Sequence, residues 1–205
     1  RGLTVDICCK AEFDLVSELS TPLPVIVIAE LLGIEPERRG DFKRWSNDVG
    51  ESANRPTDKA ERARIRGSVQ DMRTYLQAII ARRRVVPRED LVSALVQAEE
   101  DSQILSAEEI FALCALLLLA GNETTTNLIG NAVLVLLDNQ DLLGRLREET
   151  ALIQPSIEEV LRFESPIQNT LRQTTCDIEI AGTLVPNRGR VLLLNASDNR
   201  DEDHF

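Results

Sequence analysis

Apolar residues recur at helical spacing along most of this chain, but one stretch breaks the pattern. Eleven uninterrupted apolar residues, Ile110 to Ala120, run straight into Gly121-Asn122-Glu123-Thr124-Thr125-Thr126. Leu113, Leu116, Leu117, Leu118 and Leu119 leave a helix there no wet face, so it is predicted to be buried all round. Helical spacing resumes with Leu128, Ile129, Ala132, Val133, Leu136 and Leu137. Ser106, with Glu109 three residues on, forms a capping box that marks the start. Elsewhere, periodicity and composition predict helices near 24–33, 36–50, 59–84, 89–99, 106–137, 139–149 and 156–163. Asp177-Ile178-Glu179-Ile180 alternates as a half-buried strand and Val191 to Leu194 reads as a more buried one, with Pro186 to Gly189 turning between them. The fold class is mainly α, with a long central helix and a small β-sheet.

Two readings of the polar run stand side by side. In one, Gly121 ends a helix as a C-cap and a threonine caps the next. In the other, a single long helix continues, loosened where glycine removes bulk and threonine hydroxyls compete for backbone carbonyls, leaving a notch for a flat ligand and a proton-relay pair. A second constellation, Glu159 and Arg162, lies three apart on one predicted helix face and can pair directly. The same Glu159 fits equally well as the capping-box partner of Ser156. Glu-x-x-Arg alone is a weak motif.

Taken together and in order, Ala120-Gly121-Asn122-Glu123-Thr124-Thr125, then Glu158-Glu159-Val160-Leu161-Arg162, then Ser165-Pro166-Ile167-Gln168 and Arg172 resemble the cytochrome P450 family, most closely its soluble bacterial members. Phe13-Asp14-Leu15-Val16, Pro22-Leu23-Pro24, Val27 to Gly33, Asp90 to Leu95 and Asn199-Arg200-Asp201 look like further family segments in family order, so the likeness covers essentially the whole chain. It implies a cytochrome P450-like helical fold, here as residues 1–205 of a single partial domain.

The resemblance also implies a haem, iron protoporphyrin IX, whose iron is held by a cysteine thiolate that favours O–O cleavage. Ala120 and Gly121 would lie over the distal haem face, where small size leaves room for dioxygen and substrate. Glu123 and Thr124 match the family's acid–alcohol pair: a hydroxyl orients bound oxygen and water, and an ionisable group reloads them with protons. Arg172 matches a family arginine set against a haem propionate, a task suited to a planar guanidinium that stays charged when desolvated. Glu159 and Arg162 would be a buried structural pair on the proximal side. Leu113, Leu116, Leu117, Ile167, Gln168 and Leu171 match regions that face substrate, suggesting an apolar pocket with one polar contact.

The family's thiolate loop should lie C-terminal to everything in this sequence, and its first helices N-terminal to Arg1, so the chain reads as the central part of a longer protein that does not turn over alone. None of Cys8, Cys9, Cys114, Cys176 or His204 is a credible substitute iron ligand, so no metal ligand is expected in this chain; no Cys-x-x-Cys spacing suggests zinc. After Val185-Pro186, Asn187 and Arg188 stand where the family usually has a small residue and then glycine, which puts the local turn in question.

A net charge of −11 argues against a nucleic-acid partner. The one basic run, Arg82-Arg83-Arg84, reads as a solvated helix end whose cations complement the dipole. No segment reads as a signal peptide or as a run of ~20 apolar residues able to span a bilayer. The expectation is therefore a cytoplasmic monooxygenase acting on a small apolar organic substrate and dioxygen, fed by a ferredoxin and its reductase or similar soluble donors. The competing readings are a non-catalytic helical interaction protein and a degenerate family member without haem.

Overall fold

A computed structural model describes residues 2–52, 58–100 and 105–205. In chain order the elements are α1 (Gly2–Cys8), α2 (Pro22–Leu31), α3 (Arg39–Ser52), α4 (Lys59–Val85), α5 (Leu91–Glu100), α6 (Ala107–Asp138), α7 (Gln140–Glu148), α8 (Ile153–Phe163), β1 (Thr170–Gln173), β2 (Ile178–Ile180), β3 (Thr183–Val185), β4 (Arg190–Leu193) and α9 (Asn195–Asp198). A π-helical turn, Val16–Ser20, leads into α2, and 3-10 turns, Pro36–Arg38 and Thr150–Leu152, precede α3 and α8. The predicted helices all form, with ends displaced by a few residues. Contacts divide the chain into two compact units, 1–126 and 127–205.

In the first unit, α2 to α6 bury one apolar core. Ile28 and Leu32 of the α2 segment meet Phe42 and Trp45 of α3, Met72, Leu76 and Ile79 of α4, Val92 and Val96 of α5, and Ile110, Cys114 and Leu118 of α6. The α4 stripe from Ile65 to Ile80 is buried as its spacing requires. Of the basic run at its end, Arg82 and Arg84 are exposed as expected, but Arg83 is not. Arg83 is 2% exposed and Asp90 4% exposed. Arg83 Nε donates to Asp90 Oδ2 at 2.6 Å and Nη2 to the Gly33 carbonyl at 3.2 Å, while Ser93 N and Oγ each donate to Asp90 Oδ1 at 2.8 Å. A cation at the helix end is useful here because α2 and α5 supply acceptors that a sequence window does not contain. Gly33 takes φ +66°, and a Cβ there would collide with the Asp90 carboxylate.

In the second unit Val160 is the only buried hydrophobic residue among the described ones. Arginines close the C-terminal end of α8: Arg200 donates from Nε and Nη2 to the Phe163 carbonyl at 2.9 and 2.6 Å, satisfying an orphan helix-end acceptor. Asn131 Nδ2 donates to the Glu164 carbonyl at 2.8 Å.

The sheet pairing corrects the sequence expectation. Strand β2 pairs with β3, not with β4, in the register Ile178↔Val185, and β4 pairs with β1, Arg172↔Val191. The tight link is Ala181-Gly182, both at positive φ (48° and 77°), as a two-residue hairpin requires. Pro186 to Gly189 does turn, with Gly189 N donating to the Pro186 carbonyl at 2.9 Å and Arg188 at φ 62°, but it leads from β3 into β4, which pairs with β1 rather than with β2. Neither β2 nor β4 is as buried as its pattern suggests: β2 is exposed throughout and β4 has only Val191 half-buried.

Candidate active site on the long helix

Helix α6 decides between the two readings of the polar run. It is unbroken from Ala107 to Asp138, so Gly121 is not a C-cap and no threonine begins a second helix. The capping box is present: Ser106 N and Oγ donate to Glu109 Oε2 at 2.7 and 2.8 Å, and Glu109 N donates to Ser106 Oγ at 3.3 Å. These bonds hold the Glu109 carboxyl below the usual range. Thr124 Oγ1 donates to the Ala120 carbonyl at 2.7 Å, the back-bonding expected of a threonine inside a helix.

The helix is not buried all round. Ile110, Phe111, Cys114 and Leu118 face the core, whereas Leu113, Leu116, Leu119, Ala120 and Glu123 are exposed and Leu117 and Thr124 half-buried. With about 100° per residue, Leu113, Leu116, Leu117, Ala120 and Thr124 fall on one stripe, and Glu123 borders it. The sequence showed no wet side because Ile110 to Ala120 are all apolar; only the packing of neighbours selected which side is covered. By length and composition α6 is also able to cross a membrane, contrary to the expectation that no segment would be, although the buried face of this same helix completes the core of the first unit.

A Cβ on Gly121 would stand 3.1 Å from Ile28 Cδ1, so its smallness lets α6 approach α2 along the border of the open stripe. Two polar side chains on the side of α6 opposite Thr124 were not anticipated. Asn122 Nδ2 donates to Ser46 Oγ of α3 at 3.0 Å, and Thr126 Oγ1 donates to the Ser20 carbonyl at 3.0 Å.

In the second unit, Arg162 grips Glu159 with both arms, Nε to Oε2 at 2.9 Å and Nη2 to Oε1 at 2.6 Å, and its third nitrogen, Nη1, donates to the Asn199 carbonyl. That pairing lowers the Glu159 pKa and raises that of Arg162. Ser156 lies inside α8, which begins at Ile153, so the alternative capping role for Glu159 falls away. The pair is not buried, however: the side chains are 60% and 26% exposed. They border a hollow of about 450 Å³ that also has Val135, Leu142, Pro155 and Val160 in its wall. Arg172 projects from β1, exposed, with Nη1 on the neighbouring Leu171 carbonyl at 3.1 Å. Ile167, Gln168 and Leu171 are exposed beside it in sequence.

Taken unit by unit, the residues present have the chemistry that a haem calls for. An apolar, small-residue stripe ending in an acid and an alcohol suits the distal face, and a solvent-exposed guanidinium suits a propionate. A thiolate ligand is not offered by Cys114, which is buried and whose thiol burial pushes up to about 11. No cluster of three or more metal-ligating side chains occurs among the described residues.

Comparison with known proteins identifies the family. The family model described as "Cytochrome P450" matches residues 52–205. Cytochrome P450 107B1 of Saccharopolyspora erythraea is 41% identical over 197 residues, which cover 96% of this chain and 47% of that protein. Among solved structures, CYP109Q5 from Chondromyces apiculatus superposes with a TM-score of 0.89 at 43% identity, covering 100% of this chain and 50% of the other. CYP109E1 from Bacillus megaterium in complex with corticosterone gives 0.93 at 36% identity, with 100% and 55% covered. The chain spans about half the length of the curated relatives it matches. With its unbroken polar-run helix, its paired Glu-x-x-Arg and this breadth of match, the chain belongs to the cytochrome P450 family.

Proposed function

We propose that this chain is part of a haem-dependent monooxygenase that inserts one atom of dioxygen into a small apolar organic substrate and reduces the other to water. The observation that carries this reading is the outward stripe of α6, Leu113, Leu116, Leu117, Ala120 and Thr124, with Glu123 at its edge. Haem, when bound, supplies oxygen activation, and its thiolate ligand is expected outside residues 1–205. Ala120 leaves space above the stripe, and the leucines exclude water and hold an apolar substrate. Thr124 has a hydroxyl that both donates and accepts. Its donor rests on the Ala120 carbonyl, and turning it outward lets it orient a proton-bearing group. Glu123 is exposed and exchanges protons with solvent, so it reloads that hydroxyl. Arg172 holds a carboxylate of the cofactor, and Glu159 with Arg162 braces the segment after α8. By family likeness, Ile167, Gln168 and Leu171 also contact substrate. The corticosterone-bound relative supports an apolar substrate class. Two electrons per turnover come from a soluble donor, a ferredoxin with its reductase or an equivalent, in the cytoplasm.

The test is a carbon monoxide difference spectrum of the reduced full-length protein, followed by Thr124→Ala. A thiolate-type Soret band is expected; absence of haem incorporation would favour a scaffold or a degenerate relative. Thr124→Ala should cut product per electron pair by about 10-fold or more, toward the ~10²–10⁴ that positioned proton transfer contributes, and release hydrogen peroxide instead. Full coupling in that variant removes Thr124 from the chemistry.

A further inference from the structure

We propose that Asn122 and Thr126 are positioning residues for the oxygen chemistry assigned above, on which this role rests: from the covered side of α6 they fix the helix's rotation, so that Thr124 and Glu123 are presented outward.

An apolar helix against an apolar core has a weakly determined rotation, because leucines on any side bury comparable area. Between Ile110 and Ala120 every residue is apolar, so this segment carries little to distinguish one rotation from another. A slip of one residue, about 100°, would move Thr124 off the open stripe. Three features resist it, one beside the stripe and two opposite it. Gly121 fits closely against Ile28, where a Cβ would already be tight. One residue on, Asn122 reaches Ser46, which is 2% exposed, at 3.0 Å. One turn further, Thr126 reaches the Ser20 carbonyl at 3.0 Å.

The Ser20 acceptor has a reason to need a hydroxyl. It ends the π-helical turn, and the residue four positions on, which would normally donate to it within a helix, is Pro24, which has no N–H. Thr126 supplies the missing donor, so a rotated α6 leaves a buried carbonyl unpaired. Both contacts are costly in another way, since Asn122 Oδ1 and Ser20 Oγ are buried without a hydrogen-bond partner. A buried polar group kept at a cost in stability, in a seam that would otherwise pack in several registers, is the arrangement by which a single asparagine sets register in coiled coils. Asn122 and Thr126 lie four apart, on one face, and bond to two different partners, so together they set both rotation and axial position.

The experiment compares Asn122→Leu, Thr126→Val and Thr126→Ser in the full-length holoprotein by amide hydrogen exchange over 116–130, haem content, substrate affinity and product per electron pair. Asn122→Leu and Thr126→Val are expected to raise exchange in this stretch about tenfold and to lower coupling at least twofold, with haem content and substrate affinity held. Thr126→Ser, which keeps the hydroxyl, is expected to restore both. Parental exchange and coupling in both apolar variants overturn the proposal, as does a loss of coupling with unchanged exchange, which would mean direct participation. Should an apolar variant fail to fold, Ser46→Ala removes the acceptor on α3 and gives the same two readings. If the parent protein binds haem but oxygenates nothing, the functional reading falls, while the exchange measurement still decides whether these side chains hold the helix.

Discussion

Up to Thr126, helices α2 to α6 bury Trp45, Phe42, Met72, Leu76, Ile79 and Ile110 in a shared core and lock a buried arginine onto a buried aspartate; from Asn127 onward, Val160 alone is buried among the described hydrophobic residues, and arginine-to-carbonyl bonds tie the ends of the elements together. Each unit carries residues matching family motifs, but their surroundings differ. In the first, the acid–alcohol pair stands on a helix whose other side is packed, so its direction is determined. In the second, Glu159 and Arg162 on α8 and Arg172 on β1 stand on elements that leave Ile157, Phe163 and Leu171 exposed. Burial, not motif strength, separates a residue whose replacement unfolds the unit from one whose replacement does little.

The contrast is broken most severely at the Arg83–Asp90 lock. Asp90→Ala strands a buried guanidinium and frees two Ser93 donors, and should cost about 3–5 kcal/mol, read as a lower denaturant midpoint in urea unfolding. A loss below 1 kcal/mol would mean that the lock is solvated. Next comes a matched pair of truncations. Leu76→Ala, at 1% exposure, should cost about 2–5 kcal/mol, whereas Leu184→Ala, at 68%, should fall within about 0.5 kcal/mol. Comparable losses at both sites would erase the distinction between the units.

The smallest effect is the acid limb of stability. Burial raises the Asp90 carboxyl, but the hydrogen bonds from Ser93 and Arg83 more than offset that, so its pKa lies below the ordinary value. A carboxylate with a lowered folded pKa contributes stability that is complete above the unfolded value of about 3.9 and disappears as pH falls through the folded one. Unfolding free energy should therefore decline below about pH 4, and Asp90→Asn should flatten that decline. An unchanged slope in the variant would assign the acid limb to other carboxylates.

Much of this was legible before any coordinates. Helical spacing located α2 to α8, and the Ser106–Glu109 capping box marked one end to within a residue, because both are local patterns that need no partner elsewhere. The strand pairing is not legible because Ala181-Gly182 lacks a strong turn signature, and a positive φ at an alanine is imposed by the two strands it joins. Arg83 looked solvated because its acceptors lie at Gly33 and Asp90, outside the helix that carries it. Asn122 and Thr126 drew no attention as individual residues, since their partners at Ser46 and Ser20 are 76 and 106 residues away.

The order of residues by itself determined the helices, the family and the types of chemical group on offer, because periodicity, capping and motif spacing are set within a few turns of chain. Only the tertiary structure decided which side of α6 is covered, and therefore that Gly121 serves helix packing while Ala120, Glu123 and Thr124 face outward. A run of eleven apolar residues has no preferred side of its own; the neighbours that pack against it, and the two distant polar partners that hold it, choose one.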